Sequence, residues 1–248
     1  QQKPCHEPRD PCLAEMLKMQ WVLFDCFNTL IDDFDASGSI DGLETIAHLP
    51  VAAGLFPSVS KFRSAYTAAR AVNWWQRESE VHFEVRLREV FIRQGRASAA
   101  SAERLVSEML DVFAQTYPAS VRLTPGVEAM LQAWSAEAKL AVVSNFFMSE
   151  WPQKMLEHHG LGDYFEFVID SAALGAKKPE PEIYQAALKR VAVDPAEVLF
   201  VGDDYQRDVV APRTHGMQAR HVCRHGVRPG IEPSPEDNAI KHWDAFRP

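Results

Sequence analysis

Four short, largely apolar runs, three of them followed directly by a polar residue, limit what this chain can fold into more than any other feature. They are Trp21–Phe24, Leu140–Val143, Phe165–Ile169 and Val198–Val201. A half-exposed strand alternates apolar and polar residues; a run without alternation suits a parallel strand covered on both faces. Helical patterns stand between these runs. Thr124 is an expected N-cap with Pro125 at the first helical position, opening a helix to about Glu137. Ser149–His159 is expected to be a helix stopped by Gly160, Glu182–Val191 is another, and a further helix leads from Asp204 to about Gly216. Gln218–Cys223 is the expected last strand. Strands and helices alternating through short links predict an α/β fold, a Rossmann-like doubly wound parallel sheet.

One stretch breaks the alternation. From Asp35 to Tyr117 the periodicity is helical, over Ile40–Ala53, Val59–Trp75, Val81–Gln94 and Ser101–Tyr117. That much helix exceeds a single crossover and predicts an inserted all-helical domain. The expected division is an N-terminal extension over 1–19, a Rossmann-like core over 20–34 and 120–248, and the helical insert over 35–119.

Charge narrows the function. With a net charge of -8 and no cluster of Lys and Arg, the chain lacks the surface that nucleic acid or an anionic membrane requires. No apolar run approaches the roughly 20 residues that span a bilayer, and residues 1–19 have no apolar core of the signal-peptide kind. Cys5, Cys12, Cys26 and Cys223 show no metal-binding repeat, so a reduced, cytoplasmic setting is expected. The expected partner is a small anionic molecule, and the expected assembly a monomer or homodimer.

In an open parallel sheet the ligand lies beyond the carboxyl ends of the strands. Asp25 follows the first run, Ser144-Asn145 the second and Asp203-Asp204 the fourth, with Lys178 in the loop after the third. Singly, each reads equally well as a turn or cap residue. Together they bring carboxylates, a hydroxyl and an ammonium to one crevice. In this order FDCFNTL, VVSN, GAKKPEPEIY and VGDDYQRD resemble the four motifs of the haloacid dehalogenase superfamily, whose helical cap is inserted between the first and second motifs. The resemblance covers residues 20 to about 222.

That resemblance implies a hydrolase with Asp25 as nucleophile and Lys178 as its counter-charge. Ser144 would bind the oxygens of the transferring group, Thr29 and Asn145 would orient the site, and Asp208 would hold a metal-bound water or orient Lys178. Mg²⁺ would be held by Asp25, the backbone carbonyl of Phe27, Asp203 and Asp208. Cys26, Phe27 and Asn28 beside the nucleophile, with Arg63, Trp74 and Tyr184, are assigned to the substrate pocket. The chain departs from the family's phosphatases at Phe27, where those enzymes carry an Asp that protonates the leaving group, a contribution worth roughly 10² to 10⁴ in rate. Three hydrolytic readings follow. The preferred one is a Mg²⁺-dependent phosphohydrolase that manages without this acid. The second is a 2-haloacid dehalogenase, in which an aromatic stands at this position and Tyr184 has a counterpart, but which carries neutral residues where this chain has Asp203 and Asp204. The third, a phosphonate-cleaving relative, needs an insert lysine, and Lys61 is the one lysine there. A non-catalytic binding protein on the same scaffold is the fourth reading.

Overall fold

The computed structural model describes residues 19–33, 43–71, 79–94, 99–224 and 239–248. The first strand, β1 (Trp21–Phe24), is buried along its whole length. Alternation along it sends Val22 and Phe24 into one apolar layer and Trp21 and Leu23 into another, so both faces of the sheet are covered. A short strand, β2 (Ile31–Asp33), follows and pairs antiparallel with β3 (Val121–Leu123). Neither had been expected, because three residues are too few to carry a period. This two-stranded ribbon closes the point where the inserted helices leave and rejoin the chain.

Between β2 and β3 the described helices are α1 (Leu49–Ala52), α2 (Val59–Ala69), α3 (Phe83–Gln94) and α4 (Ala99–Thr116). The expected helix from Ile40 is reduced to a 3-10 turn at Leu43–Thr45 and the four-residue α1. Ser58 caps α2 by accepting from the Lys61 backbone N–H. The expected extension of α2 to Trp75 lies partly outside the described residues, as does the 1–18 segment. Phe62, Tyr66, Phe83 and Phe91 are all buried in the helices' own packing, with Phe56 and Phe62 edge-to-face at 5.3 Å.

After β3 the chain forms α5 (Val127–Ser135), β4 (Lys139–Ser144), α6 (Trp151–His158), β5 (Phe165–Asp170), α7 (Ser171–Leu174), α8 (Pro181–Val191), β6 (Val198–Gly202), α9 (Ala211–Thr214) and β7 (Gln218–His221). Thr124 is not the N-cap of α5; Gly126, at φ 81°, precedes the helix. The Thr124 hydroxyl instead donates to the Leu30 carbonyl at 3.0 Å and accepts from Trp243 Nε1 at 2.7 Å, a tie made by a residue 119 positions away that no local pattern reveals. Trp243 and Phe246 of the C-terminal segment pack on Phe24, and Phe246 stacks on Trp134.

The sheet order is β5-β4-β1-β6-β7 with every neighbour parallel. The chain builds outward from β1 through β4 to β5, then crosses back to β6 and β7. Strand order therefore reverses between β1 and β6, and the crevice beyond their carboxyl ends lies between Asp25 and Asp203. No helix among the described residues is long and apolar enough to cross a membrane.

Candidate active site

The nucleophile candidate is set by a tight turn. Asp25 still donates its backbone N–H to Val201 of β6 at 2.8 Å, and the chain then curls so that Leu30 donates to the Cys26 carbonyl at 2.9 Å. Asn28 takes a left-handed conformation, φ 64°, which its short polar side chain tolerates better than most. Thr29 Oγ1 donates to Asp25 Oδ2 at 3.3 Å.

Lys178 is 2% exposed, and its Nζ lies 2.7 Å from Asp25 Oδ1 and 2.7 Å from Asp208 Oδ1. Asn145, just beyond β4, clamps the Lys178 backbone from both sides: Nδ2 donates to its carbonyl at 2.8 Å, and Oδ1 accepts from its N–H at 2.7 Å. Asp203 leaves β6 directly, while Asp208 sits in the π-helical turn Tyr205–Val210 and accepts from the Asp204 N–H at 2.9 Å. Gly202 makes this approach possible, since a Cβ there would fall 2.4 Å from Asp208 Cγ.

The electrostatics follow from burial. Being buried pushes the Asp208 carboxyl up to about 6, with the Asp25 charge adding to the rise and Lys178 opposing it. Burial alone would lower the Lys178 ammonium, but the Asp208 and Asp25 carboxylates outweigh it and hold that group above its ordinary value. One ammonium thus serves two carboxylates. A carboxylate oxygen from each of Asp25, Asp203 and Asp208 lies within 4.8 Å of the others. An all-oxygen set of hard donors with excess negative charge fits Mg²⁺.

Phe27 lies in the cleft wall, 8% exposed, stacked on Phe146 at 4.4 Å and 19°, and Phe146 stacks on Phe147 at 4.4 Å. The aromatic packing runs on into the inserted helices through Tyr117 and Phe113. Phe83 of α3 also donates its backbone N–H to the Phe147 carbonyl at 3.0 Å.

Other expected site residues fall in different places. Ser144 is fully buried, and its Oγ meets no hydrogen-bond partner among the described residues. Asn28 lines the cleft, and its carbonyl accepts from Arg224 at 3.0 Å. Cys26 does not reach the pocket: it is fully buried in the apolar layer, where burial first and the Asp25 charge second push its thiol up. Arg63 is also displaced, because on the outer face of α2 it pairs with Glu44 at 2.7 Å. Tyr184 points into the layer under the sheet, and its hydroxyl donates to the Arg207 carbonyl. Trp74 lies outside the described residues. Lys61 is exposed on α2 and is not among the residues that line the cleft.

Several cleft residues were not anticipated. Glu80 and Arg86 form an ion pair at 2.8 Å, and Glu80 also accepts from Ser171 Oγ at 2.9 Å. Lys177 and Arg207 line the same cleft. The available signals were the doubled lysine at 177–178 and the Phe-Phe pair directly after Ser144-Asn145. Nothing local marks Glu80, which reaches the site only through the fold.

A family model described as haloacid dehalogenase-like hydrolase matches residues 19–216. The chain is 35% identical over 151 residues to the bovine (Bos taurus) haloacid dehalogenase-like hydrolase domain-containing protein 3, a match covering 60% of this chain and 54% of that protein. It is 30% identical over 234 residues to the phosphoserine phosphatase of Thermus thermophilus, covering 85% and 91% of the two chains. Among solved structures, a 2-haloacid dehalogenase from Pseudomonas syringae superposes with a TM-score of 0.70 at 22% identity, covering 91% of this chain and 95% of that one. At that identity the likeness speaks for the fold. With the family model spanning most of the sequence and the fold in agreement, this chain belongs to the haloacid dehalogenase-like hydrolases.

Proposed function

We propose that the protein is a Mg²⁺-dependent phosphohydrolase acting on a small phosphorylated metabolite, with Asp25 as nucleophile. The observation that carries this reading is the convergence of Asp25, Asp203 and Asp208 on one point, with Lys178 bridging two of them. Asp25, Asp203, Asp208 and the Phe27 carbonyl would hold Mg²⁺. When bound, that ion supplies the positive charge that lets a carboxylate approach a phosphate dianion. An Asp25 carboxylate oxygen forms the bond to phosphorus as the P–O bond to the leaving group breaks; water then cleaves the acyl phosphate and regenerates the carboxylate. Thr29 holds the second Asp25 oxygen and limits rotation of the side chain. Asn145 fixes the Lys178 backbone, so that Nζ stays on the nucleophile while charge is transferred. The inserted helices, which carry Glu80 and Arg86 to the cleft, act as the cap that selects the substrate.

Phe27 favours substrates whose leaving oxygen needs no proton from that position, such as acyl phosphates and phosphoesters of acidic hydroxyls. The same residue is what supports the dehalogenase reading, since a halide needs no proton. Three carboxylates converging on one point, and Tyr184 turned away from the cleft, weigh against it. One plate separates the two: phosphate release from acyl phosphates and phosphomonoesters beside halide release from 2-chloropropionate, with Mg²⁺ or chelator. The expected outcome is Mg²⁺-dependent phosphate release that Asp25→Asn abolishes. Halide release undiminished by chelator would replace this reading with the dehalogenase.

A further inference from the structure

The turn that presents Asp25 is held from outside the acidic centre by a residue that the chemistry above does not use. Arg224 follows β7, and its side chain is 8% exposed. One nitrogen, Nη2, donates to the Asn28 carbonyl at 3.0 Å and to Asp32 Oδ1 of β2 at 2.7 Å, contacts made across 196 and 192 positions of sequence. Arg224 thereby ties the nucleophile turn to the ribbon from which the inserted helices leave. It is not among the residues that line the cleft, so it reaches the chemistry only through the backbone that it holds.

Where that bond falls in the turn gives it weight. Asn28 takes the left-handed conformation, φ 64°, and the peptide units on either side of it set the course of the backbone from Phe27 to Thr29. The first unit is fixed by the Asn28 N–H, which donates to the Ile31 carbonyl at 2.6 Å. In the second, the Thr29 N–H donates to the Cys26 carbonyl at 3.4 Å, long for a bond that must hold a peptide in place. The Asn28 carbonyl lies on the opposite edge of that second unit, and there the donor is a guanidinium, the stronger kind. Without it, nothing of equal strength keeps Asn28 in a conformation that non-glycine residues disfavour, and Thr29, whose hydroxyl donates to Asp25 Oδ2, moves with it. The end of β7 serves the facing loop in the same way. His221 Nε2 lies 3.1 Å from the Asp203 carbonyl, which can only accept, so that this nitrogen carries the proton.

We infer that Arg224 is a positioning residue for the nucleophile and its metal site: by holding the Asn28 carbonyl it keeps the Asp25 carboxylate and the backbone at Phe27 and Asn28 in register with Asp203 and Asp208. The inference rests on the cleft being a Mg²⁺-dependent site of phosphoryl hydrolysis.

The test uses the full chain with Arg224→Met, which has no donor, and Arg224→Lys, which keeps the charge. Mg²⁺ binding to the metal-free protein is measured by calorimetry. Phosphate release from acetyl phosphate and p-nitrophenyl phosphate is measured at saturating Mg²⁺, at a temperature where circular dichroism shows each variant folded. Arg224→Met is expected to bind Mg²⁺ about tenfold more weakly and to lose about tenfold in kcat with KM unchanged, the usual cost of removing an outer partner of a metal site. Arg224→Lys is expected to recover most of both. Should loss of the Asp32 ion pair keep Arg224→Met from folding, the double variant Arg224→Met with Asp32→Asn removes both charges, and the same losses are expected of it. Wild-type Mg²⁺ affinity and kcat in either folded variant lacking the guanidinium would overturn the inference, even with a lower urea midpoint; so would a change confined to KM. If wild type binds Mg²⁺ but releases no phosphate from either probe, weaker Mg²⁺ binding by Arg224→Met would support the positioning role and refute the phosphohydrolase reading. Phosphate release by wild type with no loss in Arg224→Met would do the reverse, and a wild type that binds no Mg²⁺ would overturn both.

Discussion

Gly202→Ala tests how the acidic centre is assembled, because the atoms nearest to the new methyl group are those of Asp208. Gly202 is not among the residues with positive φ, so alanine meets no backbone penalty there. The added Cβ would lie 2.4 Å from both Cγ and Oδ2 of Asp208 and 2.6 Å from its Cβ. Carbon atoms pack at about 3.5–4.0 Å, so Asp208 must retreat by roughly 1 Å. Its Oδ1 now lies 2.7 Å from Lys178 Nζ, and that retreat takes the pair past hydrogen-bonding distance. Overpacking costs about 1–3 kcal/mol, and a lost hydrogen bond to a charged group about 1.5–3 kcal/mol. The expected destabilisation is therefore about 3–5 kcal/mol by urea unfolding, together with Mg²⁺ affinity reduced at least tenfold by calorimetry. A Gly202→Ala protein with wild-type urea midpoint and wild-type Mg²⁺ affinity would refute the close approach and the role given to Asp208 in the metal site.

Four further outcomes are expected. With Asp208 pushed up to about 6 in the metal-free protein, a proton competes with Mg²⁺ below that pH, so affinity should fall about fivefold from pH 6 to 5. The same raised value means that the folded state holds this proton more tightly than the unfolded chain. Its contribution to metal-free stability is present below about 4, the ordinary Asp range, and is lost as pH rises through 6; a rise in metal-free stability across that interval from this site would contradict it. Lys178→Met leaves two buried carboxylates facing each other at a cost of about 3–5 kcal/mol, and Mg²⁺ should raise the melting temperature of the variant more than that of wild type. A smaller rise would show that Lys178 is not their counter-charge. Phe27→Asp is expected to lose about 3–4 kcal/mol of stability, as large-to-small changes in packed aromatic positions do, while improving turnover of phosphoesters with poor leaving groups. Unchanged turnover in the folded, metal-bound variant would mean that a missing acid is not what limits the site.

The sheet and the four strand-end positions were legible in the sequence because buried parallel strands have no alternation to confuse and their polar terminators stand out. Asp25, Asn145 and Asp203 could be found in this way, while Lys178 was read from the loop after the third run and Asp208 from the resemblance of VGDDYQRD to a family motif. Side-chain direction was not legible. Cys26 and Asn28 flank the same turn at equal distance from notice, yet one faces the core and the other the cleft, according to how Asn28 resolves its left-handed turn. Tyr184 sits on a helix whose apolar face packs under the sheet, and its hydroxyl finds the Arg207 carbonyl. Thr124 was claimed by Trp243, and Glu80 by Ser171, through contacts 119 and 91 residues apart in the chain. Local pattern reports which face is apolar; it carries no information on which distant group arrives to satisfy a polar one.

The stacked Phe27, Phe146 and Phe147 also bear on what it would take to install the acid that the family resemblance leads one to expect at position 27. Phe27 is at once the second residue after the nucleophile and a packing partner of Phe146 and Tyr117. A single substitution that installs a carboxylate at 27 removes one ring from a filled wall and sets a charge against two others. A path to the acid-bearing form therefore passes through a hollowed, less stable protein unless position 146 or 117 changes with it. The aromatic residue and its neighbours are best regarded as one linked trait, gained or lost together.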